Sequence, residues 1–453
     1  MVAAGQAVSA AGFTSALGNA PLRVVLVGTG VRGTSFWGRR LVTDYPDRIN
    51  FVGLCDSNPG RLAYGKEYIG VDCPTYAARD FEQMLGEQRP DLIIVTTTDA
   101  THHEYIIKGL GHDIDVLTEK PLTIDEDKCQ AILDAERASS KNLIVGFNYR
   151  WSPYNTRVKE LLRDGAIGEV TSVDFHWYLN TYHGASYFRR WHGQREVSGT
   201  LWVHKATHHF DLLNWWLDAE PEEVFAYGDL THYGSANEFR GPYCRACELK
   251  DRCEYYWDIT QSERDMNLYV DNEEYDGYLR DNCLFREEIN IYDRMSAQIK
   301  YRNGTLVNYS LTTYSPFEGW RIAFNGTEGR IEAALDIPYH AKQALSQEEL
   351  HALEMSASQE VDGAEPIIVH KLWQQHETVQ VPYSRAGHGG GDALLHQQIF
   401  EHPEQQDPYD RAAGVRDGAM SVLIGVAARR SIETGQPVRI AELTDLSPRP
   451  RRL

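Results

Sequence analysis

The sequence predicts an α/β protein of two domains, a parallel sheet layered with helices and then an α+β domain with a large, mainly antiparallel open sheet. Three observations carry that reading. Buried-strand runs and helical stretches alternate from Leu22 to Phe147, the pattern of βα repeats. Beyond Arg150 the runs alternate polar and apolar residues and are joined by short turns such as Asn303-Gly304, which suits antiparallel strands with one wet face. At 453 residues, the chain is too long for one ordinary core.

In chain order, LRVVLV (Leu22 to Val27) and FVGLC (Phe51 to Cys55) read as the first two strands. DLIIVTT (Asp91 to Thr97), DVLTE (Asp115 to Glu119) and NLIVGF (Asn142 to Phe147) follow, with helices between them. A helix from Asn155 to Arg163 leads through Asp164-Gly165 into EVTSVDFHWYL, an alternating strand. Further strands are expected at Arg294 to Tyr301, Thr305 to Leu311, Arg321 to Asn325 and Arg330 to Ala334. The expected division is a tail or arm over 1–21, a first domain over 22–150 built on the parallel sheet and a second over 151–453 that carries the antiparallel sheet. Between about 240 and 290, acids outnumber bases and periodicity is weak, so this stretch reads as an insertion outside the core.

Lys plus Arg number 45 against 65 Asp plus Glu, a formal charge of -20. Such a surface repels phosphate backbones, so no nucleic-acid partner is expected. No run approaches the ~18 apolar residues of a membrane span. The first twenty residues have neither the basic n-region nor the apolar stretch of a secretory signal. Seven cysteines in a chain this large do not suggest a disulfide scaffold, and a cytoplasmic location is expected.

Gly28-Thr-Gly30-Val31-Arg32-Gly33 follows the first strand and precedes a helical stretch, the context in which GxGxxG acquires mechanical meaning. Gly28 permits the turn, Gly30 admits the pyrophosphate, and Gly33 lets helix and strand pack closely. Asp56 ends the second strand, where an acid receives the ribose 2′-OH and repels a 2′-phosphate, so NAD is favoured over NADP. Arg61 is the one nearby cation that favours a 2′-phosphate instead.

VTTTDATHHEY (95 to 105), TEKPLT (118 to 123), GFNYRW (146 to 151) and RDGAIGEV (163 to 170) resemble the Gfo/Idh/MocA oxidoreductases. The resemblance implies a Rossmann domain and NAD-dependent oxidation of a sugar, glycoside or inositol-like polyol. It implies that Lys120 faces the substrate hydroxyl, and that Thr97, Asp99 and His102 lie along the nicotinamide ribose. Glu119 and Asn148 join the cofactor side, and Arg150 the substrate side. Where the family has Pro in the first of these loops, this chain has Thr98.

The segment Gly199 to Asp211 resembles the family's second catalytic segment. If helical, it places His204, His208 and Asp211 on one face. His208 is the expected general base, because a neutral imidazole accepts a hydroxyl proton near neutral pH. His204 stands where relatives commonly carry Asp, which leaves open what orients His208. His204 and His208 lack the intervening Glu of HExxH, so a zinc hydrolase is a minor alternative. Tyr187, Arg190, Trp191, His192, His209 and His388 are expected to line a sugar pocket, with aromatic faces on C–H surfaces and Arg and His on hydroxyls. The family resemblance extends to GHGGGD (387 to 392).

Cys244, Cys247 and Cys253, with Cys283, have a spacing compatible with a structural zinc or an iron–sulfur cluster, or with free thiols or one disulfide. Three functions stay open: simple dehydrogenation, redox-assisted glycoside cleavage with tightly held NAD, and non-catalytic sugar sensing. A homodimer or homotetramer through the C-terminal sheet is expected.

Overall fold

The computed structural model describes residues 20–337, 361–384 and 387–452, so most of the tail expected over 1–21 lies outside the described residues. The first sheet is built on β1 (Leu22–Val27), buried throughout except at Arg23. A strand covered on both faces must be apolar where it is buried, and this one is at every position but Arg23. Around it run β2 (Ile49–Asp56), β3 (Thr75–Ala77), β4 (Leu92–Val95), β5 (Asp115–Thr118) and β6 (Leu143–Val145). These six are parallel in the order β3-β2-β1-β4-β5-β6, the dinucleotide-binding arrangement. The order reverses between β1 and β4, so a crevice opens at their carboxyl ends, where such sheets bind ligands.

The second sheet has nine strands. Its centre is β7 (Val170–Asn180), flanked by β10 (Leu306–Ser315), in parallel, and β11 (Glu318–Gly326), antiparallel. The other pairs are antiparallel. On one side lie β9 (Arg294–Tyr301), β8 (Pro221–Asp229) and β16 (Val438–Arg439), and on the other β12 (Gly329–Ile337), β13 (Val361–Lys371) and β14 (Glu377–Ser384). β9 alternates exposed and buried residues without a break, as its sequence predicts. We propose the domain division near residue 150, where the chain leaves the first sheet. It returns once, as β15 (Ala413–Gly414) pairs antiparallel with β6.

The helix Val415–Thr434 packs against β8 and against the helices Leu201–His204 and Thr207–Leu217. The approach is close: a Cβ on Gly425 would stand 2.5 Å from the Trp202 carbonyl oxygen. Gly425 thereby lets this buried helix press on the segment carrying His204 and fix its height above the first sheet.

His396 ends the helix Gly391–His396 and is completely buried among Phe36, Trp37, Tyr45 and Phe400. Neither ring nitrogen has a hydrogen-bond partner, and burial lowers its pKa to about 3. Such unpartnered groups cost about 1–3 kcal/mol. His396→Leu should therefore raise the melting temperature while leaving activity intact. The sign with pH is fixed too. The unfolded imidazole takes a proton below its ordinary value of 6.5 and the folded one does not, so stability falls as pH drops from 6.5 toward 3. The leucine variant should lose part of that acid sensitivity, measured by thermal unfolding at pH 4.5 and 7.5.

Candidate functional site

The glycine loop begins where β1 ends. Gly28 has φ +94°, and a Cβ there would meet the Thr96 carbonyl at 2.6 Å. A Cβ on Gly33 would lie 2.1 Å from the Gly28 carbonyl oxygen, so only glycine brings the helix start this near the strand. Asp56 closes β2 and secures the loop, its Oδ2 accepting from Thr29 N–H (2.6 Å) and Thr29 Oγ1 (2.9 Å). Its Oδ1 accepts from Asn58 N–H at 2.9 Å. Arg61 is neutralised by Asp276 at 2.5 Å and stands 3.6 Å from Asp56. This glycine cradle with an acid at the end of β2 fits a dinucleotide.

Across the crevice, β5 delivers Glu119 and Lys120. Glu119 accepts from Trp37 Nε1 at 2.8 Å and pairs with Arg32. Burial pushes its carboxyl up, but Arg32 and Lys120 outweigh burial and leave it below its usual range. The same Arg32 lies 3.6 Å from Asp392, which accepts from Asn148 Nδ2 at 2.6 Å and sits 3.1 Å from His388 Nδ1. Asn148 and GHGGGD are thus joined through Asp392.

Lys120 Nζ donates to the His204 carbonyl oxygen at 3.3 Å. Burial lowers its pKa to about 8, against the pull of Asp99 and Glu119. Asp99 starts a helical turn after β4, and its Oδ2 meets His204 Nδ1 at 2.6 Å. Burial pushes the Asp99 carboxyl up, with Lys120 drawing it back, and burial pushes the His204 imidazole down. His192 lies edge-on to His204, ring centroids 4.2 Å apart, and stacks on Trp191 at 3.6 Å. His208 stacks on Tyr149 at 4.3 Å and stands 5.9 Å from His388. Tyr187 packs on His183, His192 and His204. Lys120, Asp99, His192 and His204 are therefore linked by contacts through His204, and His208 and His388 gather around Tyr149.

The single helix expected to align His204, His208 and Asp211 is corrected. The chain forms Leu201–His204, turns through Lys205-Ala206 and restarts as Thr207–Leu217. Asp211 instead receives Arg150 in a buried fork, at 2.7 and 2.5 Å. Arg150 is completely buried and also 3.2 Å from Asp417, so it braces the fold and does not bind substrate. His209 is corrected likewise: fully buried, it meets the Tyr309 hydroxyl at 2.6 Å and stacks on Trp177 at 3.8 Å. His102 is held between the Pro121 and Thr97 carbonyls, at 2.8 and 3.2 Å, tying the loop after β4 to the strand end bearing Lys120.

The expected zinc or iron–sulfur site is also corrected. Among the described residues, no three His, Cys, Asp or Glu are placed to hold a metal ion. All seven cysteines are free. Cys244, Cys247, Cys253 and Cys283 do border one cavity of about 20 Å³, but Cys244 Sγ accepts from Arg189 Nη1 at 2.9 Å and Cys247 turns toward Gly241. The segment is stapled by Arg245, which forks onto Asp281 with both contacts at 3.0 Å.

Comparison with known proteins identifies the family. Residues 22–147 match the oxidoreductase family's NAD-binding Rossmann fold, and 159–440 its C-terminal alpha/beta domain. The chain belongs to the Gfo/Idh/MocA oxidoreductase family. YteT of Bacillus subtilis (strain 168), an oxidoreductase by name, is 38% identical over 435 residues, 93% of this chain and 98% of its own. An inositol 2-dehydrogenase/D-chiro-inositol 3-dehydrogenase of Lactiplantibacillus plantarum is 23% identical, over 52% of this chain and 67% of its own. Among solved structures, a levoglucosan dehydrogenase in complex with NADH and levoglucosan shares the fold with TM-score 0.63 and 17% identity. That match covers 93% of this chain and 99% of the other. No helix among the described residues is long and apolar enough to cross a membrane.

Within this family site, two features escaped the sequence reading. The Asp99–His204 contact joins residues 105 apart, and only the fold brings them together. Lys205 is buried with Nζ 3.3 Å from the Tyr149 hydroxyl and 5.2 Å above the Trp177 ring, adding a cation beside His208. Its position within the histidine-rich segment was the available signal.

Proposed function

We propose that the chain oxidises a secondary hydroxyl of a sugar, glycoside or inositol-like polyol, with NAD as the cofactor. The observation that carries this reading is the convergence of Lys120, from the first sheet, with the buried Asp99–His204 pair. When bound, the nicotinamide supplies the hydride acceptor. The residues supply the proton chemistry: Lys120 Nζ binds the hydroxyl oxygen and stabilises its developing negative charge. Lys120 draws the Asp99 carboxyl back against the burial that raises it; in its ionised form Asp99 accepts from His204 Nδ1–H, which leaves Nε2 to take the hydroxyl proton.

His208 stands at the position the family resemblance gives the base. Burial and the Lys120 and Lys205 cations lower both imidazoles, but of the two His204 alone meets a carboxylate among the described residues, that of Asp99. We assign His208 to hold a neighbouring hydroxyl. Tyr187, Arg190, Trp191, His192 and His388 form the rest of the proposed sugar wall. Screening sugars, glycosides and inositols with NAD at the NADH absorbance band tests the reading; no reduction with any of them, by a protein that binds NAD, would favour sugar sensing.

Redox-assisted glycoside cleavage is a second reading, favoured by His192. Its Nδ1 is buried beside His204 with no hydrogen-bond partner among the described residues, which places it to take the proton of a C–H acidified next to a new ketone, although burial and the nearby cations lower its pKa. A glycoside incubated in D2O without added NAD decides: aglycone release with deuterium at C2 supports this route. An intact glycosidic bond with stoichiometric NADH on adding NAD excludes it for that substrate.

NAD should be preferred over NADP. Asp56 is placed to receive the ribose diol, and Arg61 is already neutralised by Asp276. Asp56→Ser should weaken NAD binding and narrow the preference, read by titrating both dinucleotides. The variant should also loosen the loop, since Thr29 loses two hydrogen bonds.

A further inference from the structure

The stretch expected to be an excursion outside the core runs back to the dinucleotide loop. Its helices Glu263–Leu268 and Glu273–Asp276 bracket Tyr269, whose hydroxyl accepts from Val31 N–H at 3.1 Å, within the glycine fingerprint itself. Asn58 Nδ2 donates to the Asn272 carbonyl at 2.9 Å, and Asp276 pairs with Arg61. The stretch thus touches both the first and the second βα turn of the Rossmann sheet. Arg245, forked on Asp281, anchors its far end.

Arg280 lies on the Tyr269 ring, 4.4 Å from its centroid. Its nearest carboxylate, Asp265, is 3.8 Å away, and its buried Nε makes no hydrogen bond. Among the described residues Arg190 hydrogen-bonds the Ser186 carbonyl, at 2.9 Å, and is close enough to Arg280 for the two cations to oppose each other. Two half-buried guanidiniums that share one distant carboxylate, Asp265 on Arg280, can accept an anion between them. Tyr269 shows which one, because Val31 N–H belongs to the loop that faces a dinucleotide's pyrophosphate.

We propose that residues 262–281 form a clamp on the cofactor, with the Tyr269 hydroxyl and the Arg280 guanidinium holding the pyrophosphate against the glycine loop so that NAD stays bound between turnovers. The inference rests on NAD as cofactor. Its test measures dinucleotide release with no sugar present, so a protein that oxidised none of the sugars tried would leave it standing.

The experiment loads the full-length protein with NADH and follows the loss of bound fluorescence after a chase with excess NAD. Bound dinucleotide after purification is quantified in parallel. Arg280→Gln should release NADH at least ~10-fold faster, as expected for loss of a charge-assisted hydrogen bond. Tyr269→Phe, which keeps the ring, should release it roughly threefold faster or more. Lys250→Ala, exposed in the same insertion, should match the unmodified protein. Circular dichroism of the apo variants controls for folding. Unchanged release in both clamp variants would overturn the proposal. Tighter NADH binding by Tyr269→Phe would also overturn it, by showing that the hydroxyl competes with the phosphate for Val31 N–H.

Discussion

Lys120→Met should lower kcat/KM for sugar oxidation by ~10²–10⁴-fold while leaving NAD affinity within a few-fold of the unmodified protein. The ammonium is the one cation carried by the strand end at the crevice, and the backbone elements that form the cofactor cradle do not depend on it. Glu119, its neighbour, keeps Arg32 and Trp37, so the loop around residue 119 should survive the change. Near-normal turnover in this variant would remove Lys120 from the chemistry. Lost NAD binding, seen in a dinucleotide titration, would make it a cofactor contact instead.

The same residue sets an expected pH profile. With burial holding Lys120 at about 8, the cation that stabilises the alkoxide is present below that pH and lost above it. The rate of oxidation should therefore fall as pH rises through about 8. Lys120→Met should flatten this limb as well as lower the plateau. Lys120→Arg keeps a charge at every accessible pH and should move the limb upward, with a cost in rate because a planar fork replaces a point charge. A profile of kcat/KM against pH for the three proteins checks this, since that ratio reports the free enzyme.

Much of the fold was legible because burial imposes simple patterns. β1, covered on both faces, is apolar from Val24 to Val27, and β9, with one face wet, alternates without exception. Six strands were missed: β3, β15 and β16 have three residues or two, too few to show any period, while β8, β13 and β14 run to nine, eleven and eight residues and were not picked out. The site divides along the same line. The glycine loop and Asp56 were readable because a local turn demands those residue types at fixed spacing. Arg150 and His209 were misassigned for the converse reason. Their side-chain chemistry suits sugar binding, but their direction is set by distant partners, Asp211 with Asp417 and Tyr309 with Trp177. The acidic insertion misled most, since its lack of periodicity reflects short turns wrapped over a functional loop and not detachment from it.

His204→Ala should be nearly as damaging as Lys120→Met, and the comparison with His208→Ala decides which imidazole takes the proton. Burial and cations lower both imidazoles, but His204 has a carboxylate 2.6 Å from Nδ1 and His208 has none among the described residues, so a proton gained on Nε2 of His204 is compensated nearby. The expected loss is ~10²–10⁴-fold in kcat for His204→Ala. For His208→Ala we expect a smaller loss, with most of its effect on KM as befits a group that holds a neighbouring hydroxyl. Asp99 acts through His204 as a positioning residue. An amide in its place can turn its NH2 toward Nδ1, forcing the imidazole to carry its proton on Nε2, where it can no longer accept one. Asp99→Asn should therefore lower kcat with little change in KM, whereas a purely structural Asp99 would lower stability without that split. If His208→Ala proved the more severe variant in kcat and Asp99→Asn left kcat unchanged, the base would be His208, and the Asp99–His204 contact would serve only to join the two domains.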